Sequence, residues 1–256
     1  CNTINRPLSE AHVKRIARQI NDGKWKFNGD TIKIAKTGDV LDGQHRLWAI
    51  IEAKKPVDTI LVQGIEKDAF STIDTLRKPR SGADVVALAG QIRYRNVIAS
   101  ALAWMMRWQT GVLEDYRNAA NKIENSDIEE MFKNHPGMTR AVERVRNVRS
   151  LVNQPIIAFV YYLLANRNPE LAERMISTLE DPAGVGVMDP FYKLRMFFTT
   201  DHHRRKEPLV VIALAIKAIN AAYRGEKITV LSWKNQGAKV EEFPVLKVEA
   251  SKRVCS

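Results

Sequence analysis

The sequence predicts an α+β protein: an α/β domain over residues 1–90, then a mainly helical domain over 91–256 with a short late strand. Three observations predict it. Apolar residues in the first part alternate between helical and strand periods. From Arg93 onward the period is helical almost throughout, and Asp42-Gly43 joins a strand end directly to a helix start.

Asn5 to Leu8 is an extended lead-in. Ser9 is the expected N-cap of the first helix, with Glu10 in the first turn, where negative charge is favoured. Val13, Ile16, Ala17 and Ile20 recur on one face and Gly23 ends the helix, while His12 is placed either to cover the helix start or to meet a ligand. Thr31 to Lys36 alternates, with Ile32 and Ile34 opposite Lys33, and Thr37-Gly38-Asp39 turns the chain back into Val40-Leu41. After Gly43 the helical face reads as Leu47, Ile50, Ile51 and Ala53, with Trp48 to one side and Pro56 closing the helix. Thr59 to Val62 reads as a buried strand ending at Gly64. Asp74 then precedes the basic loop Arg77-Lys78-Pro79-Arg80, and Ser81 is expected to cap a helix over Ala83 to Ala89.

In the second part Val97, Ile98, Ala101, Leu102, Met105 and Trp108 stripe a long helix, and Ser126 opens another. Past His135-Pro136-Gly137 a third helix turns Met138, Val142, Val145 and Val148 inward and Arg140, Arg144, Arg146 and Arg149 outward. Four arginines offset only by Glu143 form either a solvated helix face or a candidate surface for the DNA backbone. Helices over 155–165, 170–179 and 209–223 continue the bundle, and a further one opens at Asp189-Pro190. Ile228 to Trp233 is the late strand, after which Glu241 to Pro244 folds back onto the body.

The net charge of +11 is spread over both parts and favours polyanion partners, nucleic acid first. The longest apolar runs, residues 156–165 and 209–216, fall short of the ~20 residues of a membrane span, so no membrane partner is expected. The only cysteines, Cys1 and Cys255, stand at the two ends, and their pairing is left open. Adjacent His202 and His203 lack ligand spacing, and no metal site built from protein ligands alone is expected.

The chemistry centres on Gly43 to Arg46. A glycine permits a sharp strand-to-helix bend, and the first turn of a helix carries unpaired N–H groups and the positive end of its dipole. With Gln44, His45 and Arg46 placed on that turn, the corner suits an oxyanion, most naturally a phosphate. The alternative is an ordinary helix start in which Arg46 pairs with a nearby carboxylate.

The hexamer Asp42-Gly43-Gln44-His45-Arg46-Leu47 resembles the nucleotide-phosphate motif of the ParB/sulfiredoxin-like superfamily. ParB-type proteins carry Gly-Glu-Arg-Arg-x-Arg-Ala there, matched by Gly43, Arg46 and Ala49; sulfiredoxins carry Gly-Cys-His-Arg, matched by Gly43, His45 and Arg46. Gln44 replaces the sulfiredoxin cysteine, so no thiolate is present to reduce a sulfinic acid. Asn5 to Gly90 is similar to the ParB-like domains of bacteriophages and prophages, as are Leu231-Ser232-Trp233 and Glu242-Phe243-Pro244. No charged-then-apolar signal segment opens the sequence, so the cytoplasm is the expected location, and the resemblance implies a protein of a bacterial host that binds ATP or CTP with Mg²⁺. His45 and Arg46 would sit on the phosphates; the order of elements would bring Arg77, Lys78 and Arg80 towards the same anion, with Ser81 nearby, the alternative being a solvated basic loop ahead of a capped helix. It further implies hydrolysis or phosphoryl transfer, with Glu10, Asp42 and Asp74 as candidate catalytic carboxylates, or nucleotide-gated clamping on DNA. A homo-oligomer is compatible with either. The contrasting expectation is a non-catalytic DNA- or partner-binding protein that keeps the fold without nucleotide chemistry.

Overall fold

The computed structural model describes residues 7–72, 81–200, 207–234 and 240–249. The fold is mixed α+β and mainly helical, with ten α-helices and one three-stranded sheet among the described residues. It divides into two compact units: residues 1–80 with 115–122, and residues 81–114 with 123–256. The boundary expected at residue 90 therefore lies inside the second unit, and an excursion at 115–122 rejoins the first.

In the first unit, α1 (Glu10–Asn21) is capped by Ser9, whose Oγ accepts the His12 N–H. Its stripe of Val13, Ala17 and Ile20 packs on Ala49 and Ala53 of α2 (Gln44–Ala53). The expected face of α2 needs correction: Ile51 is 64% exposed, and Leu47 and Ile50 are only half-buried. Two alanines one turn apart let the helix backbones approach closely, so the small residues take the buried side and rotate the larger ones outward.

The sheet has the order β2-β1-β3, from β1 (Thr31–Ala35), β2 (Val40–Asp42) and β3 (Ile60–Ile65). β1 pairs antiparallel with β2, bringing Lys33 opposite Asp42, and parallel with β3. β3 is not the buried strand its composition suggests. It lies at the sheet edge, paired on one side, with Leu61 50% exposed. Its register with β1 slips by one residue between Val62 and Ile65, the kind of bulge that disrupts an edge as a pairing template. The returning segment adds a 3-10 turn (Ala119–Asn121), whose Ala119 carbonyl accepts from Arg15 at 3.4 Å; Arg18 reaches the Lys122 carbonyl at 3.2 Å.

The second unit is a helical bundle of α3 (Gly82–Leu88), α4 (Arg95–Gln109), α5 (Asn125–Asn134), α6 (Met138–Arg144), α7 (Gln154–Ala165), α8 (Pro169–Glu180), α9 (Pro190–Thr200) and α10 (Pro208–Tyr223). α7 packs against α4, α6, α8 and α10, and Val210 to Ile216 of α10 are buried without a break. That explains an apolar run with no amphipathic stripe: both helices are interior. Met138, Val142, Val145 and Val148 all face the core as expected. Their spacing shortens from four residues to three where α6 becomes a 3-10 turn (Val145–Val148), whose side chains align every third residue.

Residues 228–233 are irregular, with a bend at residue 229, and not the expected strand. One backbone bond, from the Ile228 N–H to the Met188 carbonyl at 2.8 Å, and burial of Trp233 hold this segment without ladder pairing. The tail does fold back. Trp233 donates to the Glu242 carbonyl and meets Phe243 edge-on. Buried Asn220 on α10 donates to the Val245 carbonyl and accepts the Lys247 N–H, both at 2.8 Å.

Candidate functional site

Gly43 caps α2 in the left-handed conformation, φ 90°, with no side-chain hydrogen bond at the helix start. The strand-to-helix corner expected from the sequence is present. Its glycine has a packing reason as well as a conformational one: a Cβ at Gly43 would lie 3.0 Å from Ile32 Cγ1 and 3.3 Å from Ile32 Cα. The side of Gly43 expected to admit a ligand therefore faces β1.

The three side chains after Gly43 turn inward. Gln44 and His45 are buried, at 6% and 8% exposure. The Ser9 N–H donates to His45 Nε2 at 3.1 Å, so that nitrogen carries no proton. The His12 ring meets the His45 ring edge-on at 4.9 Å, and His12 Nδ1 accepts from the Arg15 guanidinium at 2.7 Å. His45 thus fastens the start of α2 to the start of α1.

Arg46 fastens the same turn to the sheet. Its Nη2 donates to the Thr31 carbonyl at 2.8 Å and lies 3.4 Å from Asp42 Oδ2. Its Nη1 stands 3.8 Å from Asp30 Oδ2, outside hydrogen-bonding reach, and is enclosed with no hydrogen-bond partner. Lys33 Nζ reaches the same Asp42 oxygen at 3.3 Å. Two cations sharing one carboxylate, with Asp30 alongside, make a charge-balanced cluster. One guanidinium N–H pair in it remains unsatisfied.

The candidate carboxylates separate in role. Asp42 is committed to Lys33 and Arg46, and Glu10 is exposed in the first turn of α1. Asp74 lies outside the described residues, as do Arg77, Lys78 and Arg80, and both cysteines. Ser81 belongs to the second unit, where its hydroxyl donates to Asp84 Oδ2 at 2.7 Å and accepts the Asp84 N–H, a reciprocal cap on α3. Among the described residues, no three His, Cys, Asp or Glu side chains gather as a metal site.

The arginine quartet also divides. Arg144 donates to Glu173 at 2.8 Å and to Glu180 at 2.9 Å, tying the end of α6 to α8. Tyr161 of α7 joins Glu173 through its hydroxyl. Burial first, then the hydrogen bond to Glu173, pushes the Tyr161 hydroxyl up to about 12. Burial raises the Glu173 carboxyl, but Tyr161 and Arg144 outweigh it and hold it below its ordinary value. Arg140, Arg146 and Arg149 are exposed and make no ion pair among the described residues.

Reading the sequence missed Lys33, the Thr31 carbonyl and the Ser9 amide as partners of the corner. Lys33 left a signal, since a hairpin around Gly38 places it across from Asp42. The other two are backbone groups and leave none. Compared with family models, curated proteins and solved structures, the chain matches none.

Proposed function

We propose that the first unit binds the phosphates of a nucleoside triphosphate, ATP or CTP, at the Gly43 corner. The observation that supports this reading is Arg46 Nη1, enclosed and without a hydrogen-bond partner, beside a helix start that no side chain caps. Buried donors are ordinarily satisfied, and a phosphate oxygen would satisfy this one while meeting the positive end of α2. In this reading Arg46 keeps the Thr31 carbonyl on Nη2 and offers Nη1, and Lys33 neutralises Asp42 when the guanidinium leans away. His45, its Nε2 held by Ser9, positions the turn. Mg²⁺ would take its oxygens mainly from phosphates and water, as this ion commonly does. Hydrolysis or phosphoryl transfer needs a positioned base; Glu10 and Asp74 are the carboxylates to test for it, because Asp42 is already paired. The second unit would meet DNA through Arg140, Arg146 and Arg149, and the place of action would be the cytoplasm of a bacterial host.

A specific observation favours the contrasting reading, in which the fold persists without nucleotide chemistry. His45 and Arg46 both serve as structural ties, and Ile32 occupies the open side of Gly43. Thermal unfolding with and without ATP or CTP and Mg²⁺ separates the two. Under the nucleotide reading, ligand at a hundredfold over Kd adds about 2.7 kcal/mol to the wild type and nothing to Arg46→Ala. If neither nucleotide shifts the wild type while Arg46→Ala lowers its melting temperature, the residue is a tie and the nucleotide reading fails.

A further inference from the structure

Within the second unit, a half-open cleft of about 410 Å³ lies where the middle of α8, the loop before α9 and the end of α10 meet. Small-ligand sites span about 300–1,000 Å³. Val187, Met188, Pro190 and Ala222 supply its apolar wall, and Lys227 supplies a cation at its edge.

The other charges there are already committed. Asp189 accepts the Phe191 and Tyr192 N–H groups at the start of α9 and pairs with Arg174, whose guanidinium lies over the Phe191 ring. Glu226 is gripped by Arg224 at 2.6 and 2.8 Å. Lys227 has no ion pair among the described residues and is exposed. Ile228 binds the Met188 carbonyl, so the loop before α9 and the chain after α10 run side by side as fixed walls. The carbonyls at the end of α10 would disfavour an anion, but Ala221 and Ala222 are closed by the Glu226 and Gly225 N–H groups.

Two lining residues have side-chain positions that packing does not explain. Val187 is 62% exposed despite its apolar side chain. Gly186 lies outside the left-handed region, and a Cβ there would meet nothing within 4 Å. Neither a left-handed backbone nor packing calls for a glycine at this position, which lines the cleft.

We propose that this cleft binds a small amphipathic carboxylate, its apolar body against Val187, Met188, Pro190 and Ala222 and its carboxylate on the Lys227 ammonium. The site is independent of the Gly43 corner. The apolar wall supplies affinity, and the uncommitted lysine selects an anion over a cation of the same shape.

Hexanoate, hexylammonium and hexanol are titrated into the ¹⁵N-labelled full chain, and amide shifts are followed. Hexanoate is expected to produce saturable shifts centred on Gly186, Met188 and Ile228, with about tenfold weaker binding of the other two probes, equal to 1.4 kcal/mol. Lys227→Glu should weaken hexanoate at least as much, and Gly186→Leu should abolish binding by filling the cleft. Unchanged amide spectra away from the cleft certify that both variants are folded. Equal binding of the three probes, shifts centred elsewhere, no saturation, or indifference to Lys227→Glu would each overturn the assignment.

Discussion

The Ser9 backbone N–H points at Nε2 of His45, 36 positions along the chain, and fixes that imidazole with its Nε2 bare. One side chain thereby sets both the entry of the chain into α1 and the orientation of the first turn of α2. Long-range ¹H–¹⁵N correlation should find the His45 Nε2 resonance in the unprotonated range in the neutral ring. His45→Leu, which leaves the Ser9 N–H without its acceptor, should cost about 1–3 kcal/mol. A His45 Nε2 that carries hydrogen at neutral pH would contradict the geometry.

Gly43 and Gly38 both adopt the left-handed conformation, but only Gly43 has a neighbour where a Cβ would lie. Alanine at Gly38 should lose about 1–2 kcal/mol from backbone strain alone. At Gly43 the clash with Ile32 adds to that strain, for a total of about 2–4 kcal/mol. Chemical denaturation of the two variants tests the difference; equal losses would mean that β1 does not press on the corner.

The Tyr161–Glu173–Arg144 cluster predicts two pH windows. Tyr161 is raised from 10 to about 12, so its contribution is complete below pH 10 and is lost as pH rises towards 12. Glu173 is depressed, so its contribution is present above the ordinary carboxylate range and is lost as pH falls through its lowered value. Melting temperatures of the wild type and Tyr161→Phe should diverge least at high pH, where the ionised wild-type phenol no longer helps. A constant difference between pH 9 and 12 would count against the cluster.

Arg144 and its neighbours should behave oppositely in a DNA-binding assay. Replacing Arg140, Arg146 and Arg149 with alanine should weaken binding and reduce the salt slope by up to about 0.9 per lost phosphate contact, with little change in stability. Arg144→Ala should instead lower stability by about 1–2 kcal/mol, between an exposed and a buried ion pair. Salt-independent binding, or none, removes DNA as the partner of this face.

Asn220 is 7% exposed and spends its amide on two backbone groups of the tail. Asn220→Leu should leave the Val245 carbonyl and Lys247 N–H to water and release the tail for limited proteolysis. Cleavage after residue 240 should speed up markedly while the helical far-UV signal persists.

What the sequence made legible follows from what each rule senses. Period and caps located α1, the Gly38 hairpin, the Gly43 corner and the long helices, because those signals are local. The buried side of α2 differs from the one its pattern predicts because hydrophobicity favours Ile51 while close helix approach favours Ala49 and Ala53. The Ile60-Leu61-Val62 run suggests an interior β3; edge position depends on strand order, which no single strand encodes. At the candidate site the residue types were legible and their partners were not. Arg46 and His45 were expected to face a ligand, yet their hydrogen bonds run to the Thr31 carbonyl and the Ser9 amide. Backbone groups of distant segments are invisible to a motif.

The rejoining of residues 115–122 to the first unit has a consequence for how this protein could be divided. Arg15 and Arg18 of α1 close their hydrogen bonds on carbonyls encoded more than a hundred codons downstream. A gene fragment ending at any single point before residue 115 would yield a first unit lacking those acceptors. A fragment that keeps the first unit with all of its residues must therefore run through residue 122 and carry the start of the second unit with it.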